Sequence, residues 1–197
     1  MPRTNPRLLV FGGSLRTGSY SAALAALAVQ VLALRDVDVT RISLADYPLP
    51  LYDADLEAEQ GVPEAAKRLH QMMISHGGIF IATPEYNAST PPLLKNALDW
   101  TSRVRTGGAG APSPWKERIY ALGSTSPGPF GGMRALMHLR QILELGLGAM
   151  VLPEQIAVTF AASAFGVDGS LKDDRSAARL ETVLGRLVEE AGRYTPD

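Results

Sequence analysis

The run Gly78-Ile79-Phe80-Ile81-Ala82-Thr83 carries no charge and no polar–apolar alternation. Successive side chains of a strand point to opposite faces of its sheet, so such a strand cannot have one face in water. It belongs in a parallel sheet with helices covering both faces. The rest of the chain has the period that this requires. Short apolar runs predict strands at residues 7–11, 37–44, 78–83 and 118–123, and within 149–158. Segments of helical spacing predict helices at 19–34, 62–75, 91–103, 131–147 and 173–192. Residues 45–56, with two prolines and several acids, read as a loop. Five alternating units without an internal repeat make an α/β chain, a doubly wound five-stranded parallel sheet, in one domain spanning 1–197. The Gly/Pro-rich stretch 106–114 falls between a helix and the next strand of that sheet, so it is read as a surface loop rather than a linker.

Composition narrows the function classes. Of 197 residues 46% are hydrophobic, which excludes a disordered chain. Lys and Arg number 19 against 20 Asp and Glu, so the clustered cations of a nucleic-acid surface are not expected, nor is a strongly acidic electron-carrier face. With no Cys there are no disulfides, thiolate nucleophiles or iron–sulfur clusters, and His70, His76 and His138 have no metal-ligand spacing. No run reaches the roughly 20 apolar residues of a membrane span. The polar start followed by Leu8-Leu9-Val10-Phe11 is too short an apolar core for a signal peptide. A cytoplasmic protein, with neither nucleic acid nor membrane as partner, is expected.

In an open parallel sheet, ligands bind beyond the carboxyl ends of the strands. After strand one comes Gly12-Gly13-Ser14-Leu15-Arg16-Thr17-Gly18-Ser19-Tyr20-Ser21, leading into a helix. Glycines, hydroxyls, one guanidinium and a helix N-terminus are the parts of a phosphate site. The Gly-Lys-Ser/Thr of a nucleotide-hydrolysing P-loop is missing, and so is the glycine spacing of a dinucleotide fingerprint, so a terminal monophosphate fits better. After strand three comes Pro84-Glu85-Tyr86-Asn87-Ala88-Ser89-Thr90-Pro91, stiff with proline, whose backbone can read the edge of a flat heterocycle bordered by Tyr86. After strand four comes Ser124-Thr125-Ser126-Pro127-Gly128-Pro129-Phe130-Gly131-Gly132, small enough to admit a ring closely. Read singly, each loop also has a plainer reading as a capped or packed turn, with Tyr86 and Trp100 as packing or subunit-interface aromatics and Glu85 as a solvated acid; Arg16 favours the anion site at the first. Together they follow strands one, three and four, which are neighbours in the order 2-1-3-4-5. A monophosphate at the first and a flat ring at the other two describe FMN.

These residues resemble the NADPH-dependent FMN reductase family, including its quinone, azo-dye and chromate reductases. Gly13-Ser14-Leu15-Arg16-Thr17-Gly18-Ser19 is similar to its phosphate loop. Pro84-Glu85-Tyr86-Asn87, with Ser89, Pro91, Leu94-Lys95-Asn96-Ala97 and Asp99-Trp100, is similar to its most distinctive motif. Ser126, Gly128, Gly131-Gly132 and His138-Leu139-Arg140-Gln141-Ile142-Leu143 resemble its third. The likeness covers about residues 8–158. It implies a flavodoxin-like fold, FMN as cofactor, NADPH or NADH as electron donor, a small-molecule acceptor, and a homodimer or homotetramer with the flavin near the subunit contact. By position, Ser14, Arg16, Thr17, Ser19, Tyr20 and Ser21 would hold the phosphate and ribityl chain. Pro84, Glu85, Tyr86 and Asn87 would line the isoalloxazine, and Ser124, Thr125 and Ser126 would approach its other side. Family members often carry Asn where this chain has Ser21, and the stretch 106–114 is longer and richer in Gly than usual.

FMN carries the hydride chemistry in such an enzyme, so no side chain is expected to act as catalytic acid, base or nucleophile. Backbone N–H groups between Glu85 and Asn87 are expected to meet charge at the N1 side of the ring. The alternative from another class is a flavodoxin-type electron carrier with a protein redox partner; a nucleotide-binding regulator without flavin is a third. Arg103 and Arg105 are candidates for the 2′-phosphate of NADPH. Plainer expectations are a packed or interface His138, core or interface positions for Met72, Met73, Met133 and Met137, a solvated face for Asp53, Asp55, Glu57 and Glu59, and a buried stripe of Leu136, Leu139, Leu143 and Leu147.

Overall fold

The computed structural model describes residues 6–35, 37–105, 107 and 111–194. Its strands are β1 (Leu8–Gly12), β2 (Val39–Ile42), β3 (Gly78–Pro84), β4 (Ile119–Thr125) and β5 (Met150–Val158). Its helices are α1 (Tyr20–Ala33), α2 (Ala54–Gln60), α3 (Glu64–Ile74), α4 (Pro92–Ser102), α5 (Met133–Gln141), α6 (Ala161–Ala164) and α7 (Asp174–Tyr194). The strands form one sheet in the order β2-β1-β3-β4-β5, and every pair is parallel. The expected architecture and strand order are therefore the observed ones.

The apolar run of β3 explains the layering. Ile79 and Ile81 join Leu9, Phe11, Tyr120 and Leu122 under α3, α4 and α5. Phe80 and Ala82 join Leu8, Val10 and Ala121 under α1 and α7. Ile79, Phe80 and Ile81 are fully buried, each contributing about 1.5–3 kcal/mol of hydrophobic stabilisation. Leu136, Leu139 and Leu143 form the buried stripe of α5, with Leu147 packed at its end.

Four boundaries differ from the sequence reading, each for a local reason. The second strand ends at Ile42 because the Ser43 hydroxyl accepts from the Ala45 N–H (3.2 Å) and starts a tight turn over Leu44–Asp46. Residues 45–56 are not loop throughout. Asp53 caps α2 by accepting from Asp55 N–H (2.8 Å), but α2 buries no residue and so shows no apolar stripe. Strand β4 runs on to Thr125, since Ser124 and Thr125 pair with Thr83 and Pro84 on one side and with Ala157 and Val158 on the other. The predicted helix 131–147 begins at Met133 and passes from α-type turns into a wider π-type turn over Ile142–Gly146. Residues 106 and 108–110 of the stretch 106–114 lie outside the described residues.

Candidate active site

The loop after β1 is built around Ser19. Its hydroxyl accepts from the Ala22 N–H (3.4 Å), capping α1, and lies 2.9 Å from the Ser21 hydroxyl in a buried pair. The first-turn N–H groups of Tyr20 and Ser21 have no carbonyl one turn earlier in the helix to bond, which leaves them as donors beside that pair. Ser14 Oγ accepts from Arg16 N–H at 3.3 Å. The Arg16 guanidinium donates to the carbonyls of Thr17 (3.3 Å) and Gly18 (3.0 Å) and stacks over the Tyr20 ring at 5.4 Å. The loop is thus held open around a cation by its own backbone.

The loop after β3 is a two-residue hairpin. Tyr86 and Ser89 exchange both N–H···O bonds at 3.0 Å, and the residues between them, Asn87 (φ 49°) and Ala88 (φ 63°), are both left-handed. The hairpin is tethered to α5 at three points. The Glu85 carboxylate accepts from the N–H groups of Arg134 (3.1 Å) and Ala135 (3.4 Å) and pairs with the Arg134 guanidinium. Ser89 Oγ lies 2.9 Å from His138 Nδ1, and the Thr90 hydroxyl donates to the Ala135 carbonyl at 3.4 Å. Gly132, at φ 86° just before α5, lets the start of α5 lie close against the end of β4, because a Cβ there would lie 2.8 Å from Ser124 Cβ.

These loops enclose a cleft of about 360 Å³ lined by Ser14, Arg16, Ser19, Tyr20, Ser21, Pro84, Glu85, Tyr86, Thr125 and Pro127. Of the residues singled out in the sequence, Thr17, Asn87, Ser124 and Ser126 are not on its wall. Thr17 is exposed beside it. Ser124 is buried inside β4 and donates to the Gly131 carbonyl at 2.7 Å. Ser126 Oγ accepts from Gly128 N–H at 3.2 Å. Pro127 also lines the cleft, and nothing in its residue type marks it as cleft wall. The backbone donors also differ from expectation, since Tyr86 N–H is committed to the Ser89 carbonyl.

Several plainer expectations change as well. The Glu85 side chain is only 5% exposed, so it is no solvated acid. Of the positions expected in the core or at an interface, Met73 is buried, while His138, Met133 and Met137 are exposed on this chain, as interface positions would be. Trp100 is buried and donates its indole N–H to the Pro50 carbonyl at 2.8 Å. Glu57 does not belong to a solvated face. It takes Arg103 Nε at 2.8 Å and the Tyr52 hydroxyl at 2.9 Å, and these hydrogen bonds, that of Arg103 foremost, hold its carboxyl below the usual range. Arg103 and Arg105 follow the far end of α4, which rises from the hairpin for roughly 16 Å at 1.5 Å per residue, away from the cleft. Among the described residues no group of three His, Cys, Asp or Glu could hold a metal ion.

The family model of NADPH-dependent FMN reductases matches residues 6–163. The chain belongs to that family. It is 39% identical over 141 residues to a quinone reductase of Escherichia coli, covering 71% of this chain and 70% of that protein. It is 34% identical over 183 residues to an NAD(P)H-dependent FMN reductase of Pseudomonas aeruginosa, covering 92% of each. Among solved structures, the flavoenzyme NAD(P)H:(acceptor) oxidoreductase FerB of Paracoccus denitrificans superimposes with a TM-score of 0.78 at 28% identity, over 96% of this chain and 98% of that one. The protein is therefore a flavodoxin-like oxidoreductase that uses FMN and NAD(P)H. Membership decides against the electron-carrier and regulator alternatives.

The cleft suits FMN on its own chemistry. The buried Ser19–Ser21 pair, the free first-turn donors of α1 and Arg16 supply hydrogen bonds and charge for a dianionic phosphate. The rigid Pro84–Tyr86 backbone and the end of β4 supply a flat border for a ring.

Proposed function

We propose that this reductase keeps its FMN between catalytic cycles and passes electrons from NADPH to a quinone or a similar planar acceptor. One observation carries the reading. The cleft joins a phosphate-type loop to a ring-type border whose aromatic, Tyr86, is 45% exposed at the mouth and open to a stacking partner.

Bound FMN supplies the hydride and electron transfer chemistry. Ser14, Arg16, Ser19 and Ser21 fix the phosphate and ribityl chain, with Thr17 and Tyr20 closing the loop around them. Pro84, Glu85, Tyr86 and Thr125 border the ring. Glu85 acts through its carboxylate on α5 rather than on the ring, and Asn87, Ser124 and Ser126 shape the loops from behind the wall. No side chain has to take or give a proton for the first transfer, so positioning is the protein's main contribution. A donor and an acceptor that use one open cleft in turn give ping-pong kinetics. Quinone is favoured by the 39% identity to a quinone reductase.

The exposed Phe130, Met133, Met137 and Phe160 near the same loops suit a homodimer or homotetramer, which is the expected assembly. Among the described residues no helix is long and apolar enough to cross a membrane, and a cytoplasmic location fits this reading. The test is steady-state kinetics with NADPH against benzoquinone and against free FMN. Parallel double-reciprocal lines with benzoquinone, and flavin that stays with the protein through gel filtration, support the proposal. Preferred turnover of free FMN with release of reduced flavin would replace it by a flavin-supplying role.

A further inference from the structure

A second cavity of about 590 Å³ lies along the outer flank of α3, closed on the other side by the segment that follows α4. It shares no residue with the flavin cleft. Its charged lining consists of Lys67, Arg68, Arg103 and Arg105 against one carboxylate, Glu64.

The cations are unequally occupied. Arg103 is held by Glu57, and Lys67 lies 3.3 Å from Glu64. Among the described residues Arg68 donates only to the Asp46 carbonyl (3.2 Å), and it rests over the Tyr47 ring. Arg105 makes no ion pair or hydrogen bond among the described residues, and its charge reaches Glu57 only at longer range. Two of the four cations are thus matched by carboxylates, and Arg68 and Arg105 leave the wall with a positive excess that an anion would offset.

His70 supplies the second, independent observation. It lines the cavity, is only 3% exposed, and has no hydrogen-bond partner among the described residues. Its ring nitrogens are not among the sealed, unpartnered atoms of the described residues, so the imidazole keeps a polar edge open to the surface of the cavity. Burial lowers its pKa, so near neutral pH the ring offers one N–H donor and one lone pair.

We propose that this cavity is a second binding site, for a small polyanion bearing phosphate or carboxylate groups. Arg105 and Arg68 meet its charge, and His70 makes one hydrogen bond to it from the wall. The site goes beyond the reductase reading and does not depend on it.

The test uses the full chain saturated with FMN, so that the phosphate loop is filled. Histidine ring signals are followed by NMR, with His70 assigned through a His70→Gln variant, during titration with inorganic pyrophosphate and separately with citrate. The expected result is a saturable shift of the His70 signal by at least one probe, with the visible flavin bands unchanged. Affinity should fall about tenfold or more in Arg105→Ser, as loss of a charge-assisted contact implies. Pyrophosphate alone acting identifies a phosphate ligand; citrate alone identifies a carboxylate. Arg68→Gln, with the melting temperature recorded, serves as the second variant if Arg105→Ser misfolds. No His70 shift with either probe at millimolar concentration, or equal affinity in the variants, overturns the proposal.

Discussion

Arg16 and Glu85 show how differently two charged residues of one cleft act. Arg16 is exposed and bonded only to neutral carbonyls of its own loop, so its charge remains available to a phosphate. Charge-assisted hydrogen bonds contribute about 1.5–3 kcal/mol, so Arg16→Ala should weaken FMN binding about 10- to 100-fold. The rate at which NADPH reduces the flavin that does bind should change much less. Equilibrium dialysis against FMN and stopped-flow reduction measure the two effects, and unchanged affinity would remove Arg16 from the phosphate site. The Glu85 charge is instead consumed within the protein, on two N–H groups at the start of α5 and on Arg134. Glu85→Ala leaves those donors without their acceptor and should lower stability by about 1–3 kcal/mol in a denaturant melt. Glu85→Gln retains the side-chain bulk and an acceptor oxygen and should recover part of the loss; equal losses for both variants would mean that the carboxylate charge alone carries the tether. The three loops that border the cleft were readable from the sequence, but not the wall residue by residue, since Thr17, Asn87, Ser124 and Ser126 lie off it and Pro127 lies on it. What each does was not, because the use of Glu85 depends on α5 lying 49 residues away in the chain.

At the scale of elements, the hairpin after β3 is the most constrained piece. Its two central residues are left-handed, a geometry that suits Asn but costs a residue with a Cβ roughly 1 kcal/mol relative to Gly. Ala88 at φ 63° is therefore held in place by the tethers of Glu85, Ser89 and Thr90 to α5. Ala88→Gly should stabilise the protein by about 0.5–1 kcal/mol while leaving the hairpin intact, as a thermal melt would show. Destabilisation instead would mean that the Ala88 side chain makes a contact of its own. Strands and long helices were legible because burial writes a period into them. Helix α2 was not, since it buries no residue, and the length of β4 was not, since Ser124 and Thr125 read as loop residues until their pairing with β3 and β5 is seen.

Across the whole molecule, the edge of the sheet opposite the cleft carries the pH dependence. His76 lies there, 2% exposed, with Nδ1 at 2.7 Å from the Met72 carbonyl and Nε2 at 2.9 Å from the Thr40 hydroxyl. A carbonyl only accepts, so Nδ1 bears the proton and neutral Nε2 accepts from Thr40. Burial leads the causes that lower its pKa below the ordinary 6.5, with Arg7 and Arg118 adding to the shift and the Met72 carbonyl and Asp38 opposing it. His70 is lowered by burial too. The unfolded chain then binds more protons than the native one below about pH 6.5, so stability falls as pH drops through that window. Urea melts between pH 7 and pH 5 should show the decline. His76→Gln should flatten it, and an unchanged slope would assign the effect to other groups. The fold, the strand order and the three loops over one end of the sheet were all present in the spacing of apolar and glycine-rich segments. The polyanion cavity was not, because it forms where α3 meets the segment after α4, far apart in sequence. The central claim is that NADPH reduces FMN held in the cleft and that a small acceptor reoxidises it. An anaerobic titration of the FMN-reconstituted protein with NADPH, following the visible flavin bands, tests it most directly. Prompt bleaching, reversed by added benzoquinone, is the predicted result; a bound flavin that stays oxidised, or no bound flavin at all, would contradict it.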